Sequence, residues 1–144
     1  MSKLSPQQSV STEEQTNPIA VDSKELALQI ADAAEDKKAE DIVLLDVSEV
    51  SYLADYFVII TGFSGTQLKA IAESIDKKIE AGYNRLPIRV SGKKEGNWIV
   101  LDYEDVIVHI FLTEEREYNN LEELWGHAER IESDNIRVCL MSYR

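Results

Sequence analysis

The residues able to do chemistry are few. His109 and His127 lie at metal-ligand spacing neither from each other nor from the single cysteine, Cys139, so no metal centre is expected. His109 sits inside the apolar run VIVHIFL, where a hydrogen-bonded structural histidine is the expectation. Ser64 has no evident base, and as a helix N-cap its oxygen is committed to a backbone N–H, which leaves little for a nucleophile. The turn Gly62-Phe63-Ser64-Gly65 joins a strand to a helix start, where free N–H groups could receive an anion. It lacks the lysine and glycine spacing of a P-loop.

Carboxylates are the exception. Between residues 95 and 123 stand Glu95, Asp102, Glu104, Asp105, Glu114, Glu115, Glu117, Glu122 and Glu123 against one base, Arg116, so this stretch carries 1 − 9 = −8. Taken singly, each acid reads as solvated surface. Together they form an acidic face for a basic partner, whose encounter and orientation such a charge would steer. Asp102 and Glu104 alternate as metal-holding carboxylates on a nucleotidyl-transferring strand would, yet Glu104 falls at a hairpin turn, where alternation is lost.

The elements that must hold these groups follow from periodicity. Asp22 and Glu25 have capping-box spacing before Leu26, Ile30, Ala33 and Ala34, which predicts a helix over 23–38. Two β-branched runs, IVLLDV at 42–47 and YFVIITG at 56–62, predict buried strands. Ser64 and Gln67 repeat the capping-box spacing ahead of Leu68, Ile71, Ala72, Ile75 and Ile79, an amphipathic helix that Gly82 should close. A short strand is expected at 88–90, then an antiparallel hairpin from WIVLDY at 98–103 and VIVHIFL at 106–112. Asn120 and Glu123 cap a last helix whose inward face is Leu121, Leu124, Trp125, Ala128 and Ile131. The result is an α/β architecture, a mixed sheet of about five strands flanked by helices.

The chain of 144 residues is one domain in size, with an apolar share of 44% that suffices for a core and no run long enough to span a membrane. Its formal charge, 15 − 27 = −12, is the wrong sign for a phosphate-neutralising surface, so direct nucleic-acid contact is expected to be minor at most. One cysteine excludes an internal disulfide framework and fits a reducing compartment. Residues 1–21, polar and Ser/Gln-rich with no targeting pattern, read as a disordered leader; 22–132 read as the folded domain and 133–144 as a tail. Cytoplasmic location follows as an expectation.

The run DYFVIITGFSGTQLKAIAESI, followed by NWIVLDYEDVIVHIFLTEEREYNNLEELW, resembles the ribosomal silencing factor family, also called Iojap-like, over 23–131. Asp55 meets its aspartate before an apolar strand, Thr61, Gly62 and Ser64 its Thr-Gly-x-Ser turn, and Gln67, Lys69 and Ala70 its helix start. The second motif is met by Trp98, Asp102, Asp105, His109, Phe111, Arg116, Leu121, Glu122, Leu124 and Trp125. This chain departs at Ser91 before Gly92, where Glu is usual, at Glu104, where Gly is usual, and at Asn119, where Tyr is expected and Tyr118 supplies the aromatic beside it. A Glu104 held at positive φ should cost about 1 kcal/mol relative to glycine.

The resemblance implies a nucleotidyltransferase-like fold without catalytic residues, no cofactor, and binding to large-subunit ribosomal protein fourteen so that the small subunit cannot join. The partner-binding residues expected on this basis are Trp98 as aromatic anchor, Asp102, Asp105 and Glu122 as charge partners, with Lys69 and Tyr118 beside them. For Trp98, burial in the core and contact with a partner both stay open. Ser64, Gln67, His109, Arg116 and Trp125 are assigned to structure, Arg116 tying a strand end to a helix start by ion pairing and Trp125 packing inward. Whether the free protein forms a homodimer stays open. Two other readings remain: a nucleotide-binding or nucleotidyl-transferring enzyme, and a general protein-interaction adaptor.

Overall fold

The computed structural model describes residues 22–49, 54–119, 129–132 and 135–136, with the side chains of 117–119 left aside. The expected leader, Glu122, Trp125, His127, Cys139 and the tail beyond 136 lie outside the described residues, as does the side chain of Tyr118.

Helix α1 spans Ser23–Glu35. The Asp22 carboxylate caps it by accepting from Lys24 N at 3.2 Å, and Leu26, Ala27, Ile30, Ala31, Ala33 and Ala34 are buried. It stops short of the expected 38. Lys38 adopts a left-handed conformation, φ 66°, and the Ala39 N–H returns to Ala34 O, closing the last turn. Strands β1, Glu40–Asp46, and β2, Tyr56–Gly62, follow.

Helix α2, Gly65–Tyr83, begins at the expected cap: the Ser64 hydroxyl accepts from Gln67 N at 3.1 Å. The Gln67 side chain accepts in turn from Phe63 N and donates to the carbonyls of Lys37 and Lys38, stitching the start of α2 to the end of α1. Gly82 does not close this helix. Asn84 does, in the left-handed region at φ 55°, because a short polar side chain tolerates that conformation and the helix runs one residue past Gly82.

Strand β3, Arg89–Ser91, leads into the hairpin of β4, Trp98–Asp102, and β5, Val106–Leu112. Helix α3, Thr113–Asn119, was not anticipated from the sequence. Strand β6, Glu129–Glu132, pairs antiparallel with β1, so the last expected helix cannot run to Ile131, and the sheet has six strands where about five were expected. The four residues of β6 contain one apolar side chain, too short a pattern to announce a strand.

The strand order is β3-β4-β5-β2-β1-β6, with β2 and β5 parallel at the centre and every other pairing antiparallel. Alternation divides the sheet into two faces. Ile42, Leu44, Val58, Ile60, Ile99, Leu101, Val108 and Ile110 pack with α1 and α2 in the larger core. Val43, Leu45, Phe57, Ile59 and Phe111 form a second cluster on the opposite face, with Trp98 and Ile107 packed against it.

Candidate functional site

Period two places Trp98, Val100 and Asp102 on the face of β4 turned away from α1 and α2. Their antiparallel partners on β5 are Phe111, His109 and Ile107, so six side chains share one surface. Phe111 is buried; the other five are only half-buried. The next strand inward, β2, sets Phe57 beside Ile107 and Ile59 beside His109 on the same face, both buried.

The aromatic members of this surface are locked together. The Trp98 ring lies 4.9 Å from that of Phe111, the His109 ring is stacked on Phe111 at 5.9 Å, and Phe57 meets His109 edge-on at 5.5 Å. The Trp98 Nε1–H donates to His109 Nδ1 at 3.3 Å, so Nδ1 must keep its lone pair. Burial disfavours the imidazolium and lowers the His109 pKa from 6.5 to about 4. His109 is therefore neutral at pH 7 and accepts the Trp98 N–H through Nδ1.

Asp102 and Asp105 both flank the hairpin turn, but they differ. Asp102 accepts from Glu104 N at 2.8 Å and sits at the rim of the half-buried surface. Asp105 is engaged by the fold: Arg85 Nη2 donates to its Oδ1 at 2.8 Å and also to the carbonyl of Tyr103, while Ser23 Oγ lies 2.7 Å from Asp55 Oδ2 and 3.3 Å from Asp105 Oδ2. Arg85 and Ser23 escaped the reading of the sequence, because the contacts that give them a role span 20 and 82 residues.

Lys69 is exposed on α2, in the helix layer, and does not share the surface of Trp98. The expected partner-binding set is thus not one patch. Arg116 joins α3 to the sheet by donating to the Asp41 carbonyl and to Thr61 Oγ1, so hydrogen bonds contribute to the tie for which an ion pair was expected. Val100, Ile107 and Phe57 were missed as members of the surface, although alternation along WIVLD already sets Trp98, Val100 and Asp102 together.

Among the described residues, no three His, Cys, Asp or Glu side chains converge where they could hold a metal ion, and no helix is long and apolar enough to cross a membrane. A half-exposed aromatic and aliphatic surface edged by a carboxylate can bind a protein face.

Residues 20–140 match the family model described as ribosomal silencing factor during starvation. The chain belongs to the ribosomal silencing factor family. A ribosomal silencing factor of Bacillus subtilis is 47% identical over 103 residues, 70% of this chain and 86% of that one. The chloroplastic protein Iojap of Zea mays is 38% identical over 106 residues, which cover 74% of this chain and 46% of that longer protein. A crystal structure from Chromobacterium violaceum superposes with a TM-score of 0.70 at 36% identity, covering 74% of this chain and 88% of the other. The silencing-factor family and its α/β sheet architecture are those the two sequence motifs implied.

Proposed function

We propose that this protein silences ribosomes by binding the large subunit through ribosomal protein fourteen and occupying space that the joining small subunit needs. The observation that carries the reading is membership of the silencing factor family over residues 20–140. The half-buried surface of Trp98, Val100, Asp102, Ile107 and His109 supplies a chemistry suited to a protein partner. Trp98 is the anchor and Asp102 the charge at the rim, while Asp105 contributes chiefly by holding the hairpin. The acidic stretch of 95–123 steers a basic partner and discourages adhesion to ribosomal RNA. Silencing on this account is steric, needs no cofactor, and takes place in the cytoplasm.

Sedimentation with isolated ribosomal subunits tests it. The protein should be recovered with large subunits and not with small ones, and its association rate should fall as salt rises, since screening beyond a Debye length of about 8 Å removes the steering term. Equal recovery with both subunits would sink the proposal of a specific large-subunit site.

A further inference from the structure

The described residues include four exposed large apolar side chains, and three of them gather at one edge of the sheet: Leu86 at 59% exposure, Ile88 at 64% and Val90 at 42%. They occupy alternate positions leading into and along β3, and Val90 stands opposite Leu101, hence on the helix side of the sheet. Strand β3 ends the strand order and pairs only with β4, so among the described residues its outer edge has no neighbour. Pairing with a partner's strand is what such an edge invites.

The charge around this edge is opposite to that of the protein. Residues 84–94, NRLPIRVSGKK, hold Arg85, Arg89, Lys93 and Lys94 and no acid, a net of +4 in a chain of −12. Arg85 is spent on Asp105, but Arg89, Lys93 and Lys94 are exposed. A basic, aliphatic, unpaired edge selects its occupant. Two copies joined edge to edge would bring their basic runs together. Single-stranded RNA gains affinity by stacking bases on aromatic rings, whereas this stripe is Leu, Ile and Val.

We propose that the free edge of β3 docks an extended segment of a partner protein in which acidic and apolar residues alternate, added to the sheet as a further strand. Backbone pairing supplies affinity, the apolar side chains cover Leu86, Ile88 and Val90, and the acids meet Arg89, Lys93 and Lys94. Val90 lies on the helix side of the sheet, away from the Trp98 surface, whereas Arg89 stands opposite Asp102 at its rim, so Ile88→Glu is the variant whose failure is distinct from failure of the silencing reading.

The probe is a short fluorescent peptide alternating glutamate with valine, titrated with the full chain and followed by polarisation. Saturable binding is expected, at least about tenfold weaker for Ile88→Glu and for Arg89→Glu, a change of about 1.4 kcal/mol. Ile88 is exposed, so an unchanged thermal midpoint should accompany its loss, whereas Arg89→Glu sets a carboxylate opposite Asp102 and is compared at a temperature where it is fully folded. Backbone amide exchange of the unaltered chain gives a second readout: the Ile88 N–H already donates to Asp102 O, so added peptide should newly protect the outward-facing amides of Arg89 and Ser91. Absence of saturable binding, equal binding of a lysine-valine peptide, or full competition by single-stranded RNA would overturn the proposal. So would self-association that the same two substitutions abolish, since it would assign the edge to a second copy.

Discussion

The indole of Trp98 and the imidazole of His109 are joined across the β4–β5 ladder by an Nε1–H to Nδ1 hydrogen bond of 3.3 Å, diagonal to the direct pairs Trp98 with Phe111 and Val100 with His109. The bond requires a neutral His109, and burial already favours that state. One half-buried side chain of this surface is thus oriented by another whose charge must stay off.

The first prediction is a pH dependence of folding. The folded pKa of His109, about 4, lies below the ordinary 6.5, so between these values the unfolded chain binds the proton and the folded chain does not. The contribution of a neutral His109 is complete above about pH 6.5 and is lost as pH falls toward 4, amounting to at most about 3 kcal/mol. Urea denaturation from pH 7 to 4.5 should show a shallower loss in His109→Gln than in the unaltered chain. Parallel curves would mean that His109 does not govern this range.

The second concerns Trp98 itself. It is half-buried and packed on Phe111 and is the anchor in the proposed reading, so Trp98→Ala should lower unfolding free energy by about 2 kcal/mol and weaken large-subunit binding by about 2 kcal/mol or more. Trp98→Phe keeps a ring on Phe111 and loses the indole donor, about 1 kcal/mol of stability. Normal binding by the folded fraction of Trp98→Ala would remove Trp98 from the interface.

Local patterns announced themselves in this chain, and distant partnerships did not. Ser64 and Gln67 predicted a helix start because an N-cap acts within one turn, and the β2 and β5 bounds follow from unbroken apolar runs. The end of α1 was misplaced because left-handed Lys38 has no signature comparable to glycine. Strand β6 was hidden because its pairing with β1 is set by a register across 130 − 45 = 85 residues, as for Leu45 and Arg130, and not by its own composition. At the candidate surface, Trp98 and Asp102 were legible as types, but the separation of Lys69 from Trp98 depends on how α2 packs on the sheet, which no spacing encodes.

Glu104 carries the third prediction. Its φ of 81° is a conformation glycine adopts freely and a side chain with Cβ resists, and it is exposed at the hairpin turn. Glu104→Gly should raise stability by up to about 1 kcal/mol, with the higher entropy of an unfolded glycine offsetting part of the relieved strain. Chemical denaturation checks this, and a destabilised Glu104→Gly chain would place the cost of the turn elsewhere. Since the substitution also removes one charge from the acidic stretch, the association rate should fall modestly while stability rises, moving the two measurements in opposite directions.

The last prediction separates the two aspartates of the hairpin. Asp102 and Asp105 look interchangeable as surface acids, yet only Asp105 is paired with Arg85, at 2.8 Å, with both side chains 29% exposed. Asp105→Lys sets a cation against Arg85 and takes the acceptor from Ser23 and from a guanidinium that also holds the Tyr103 carbonyl. It should cost about 1–2 kcal/mol of folding free energy, discounted from the buried-pair range because water reaches both partners. Asp102→Lys removes a carboxylate whose one described bond is to the Glu104 N–H, so its folding penalty should stay below about 1 kcal/mol. Binding to large subunits should follow the reverse order, with Asp102→Lys the more damaging to association when both proteins are compared fully folded at low temperature. Equal loss of stability in the two variants would show that the Arg85 pair contributes nothing in solution, and equal loss of binding would return Asp105 to the interface.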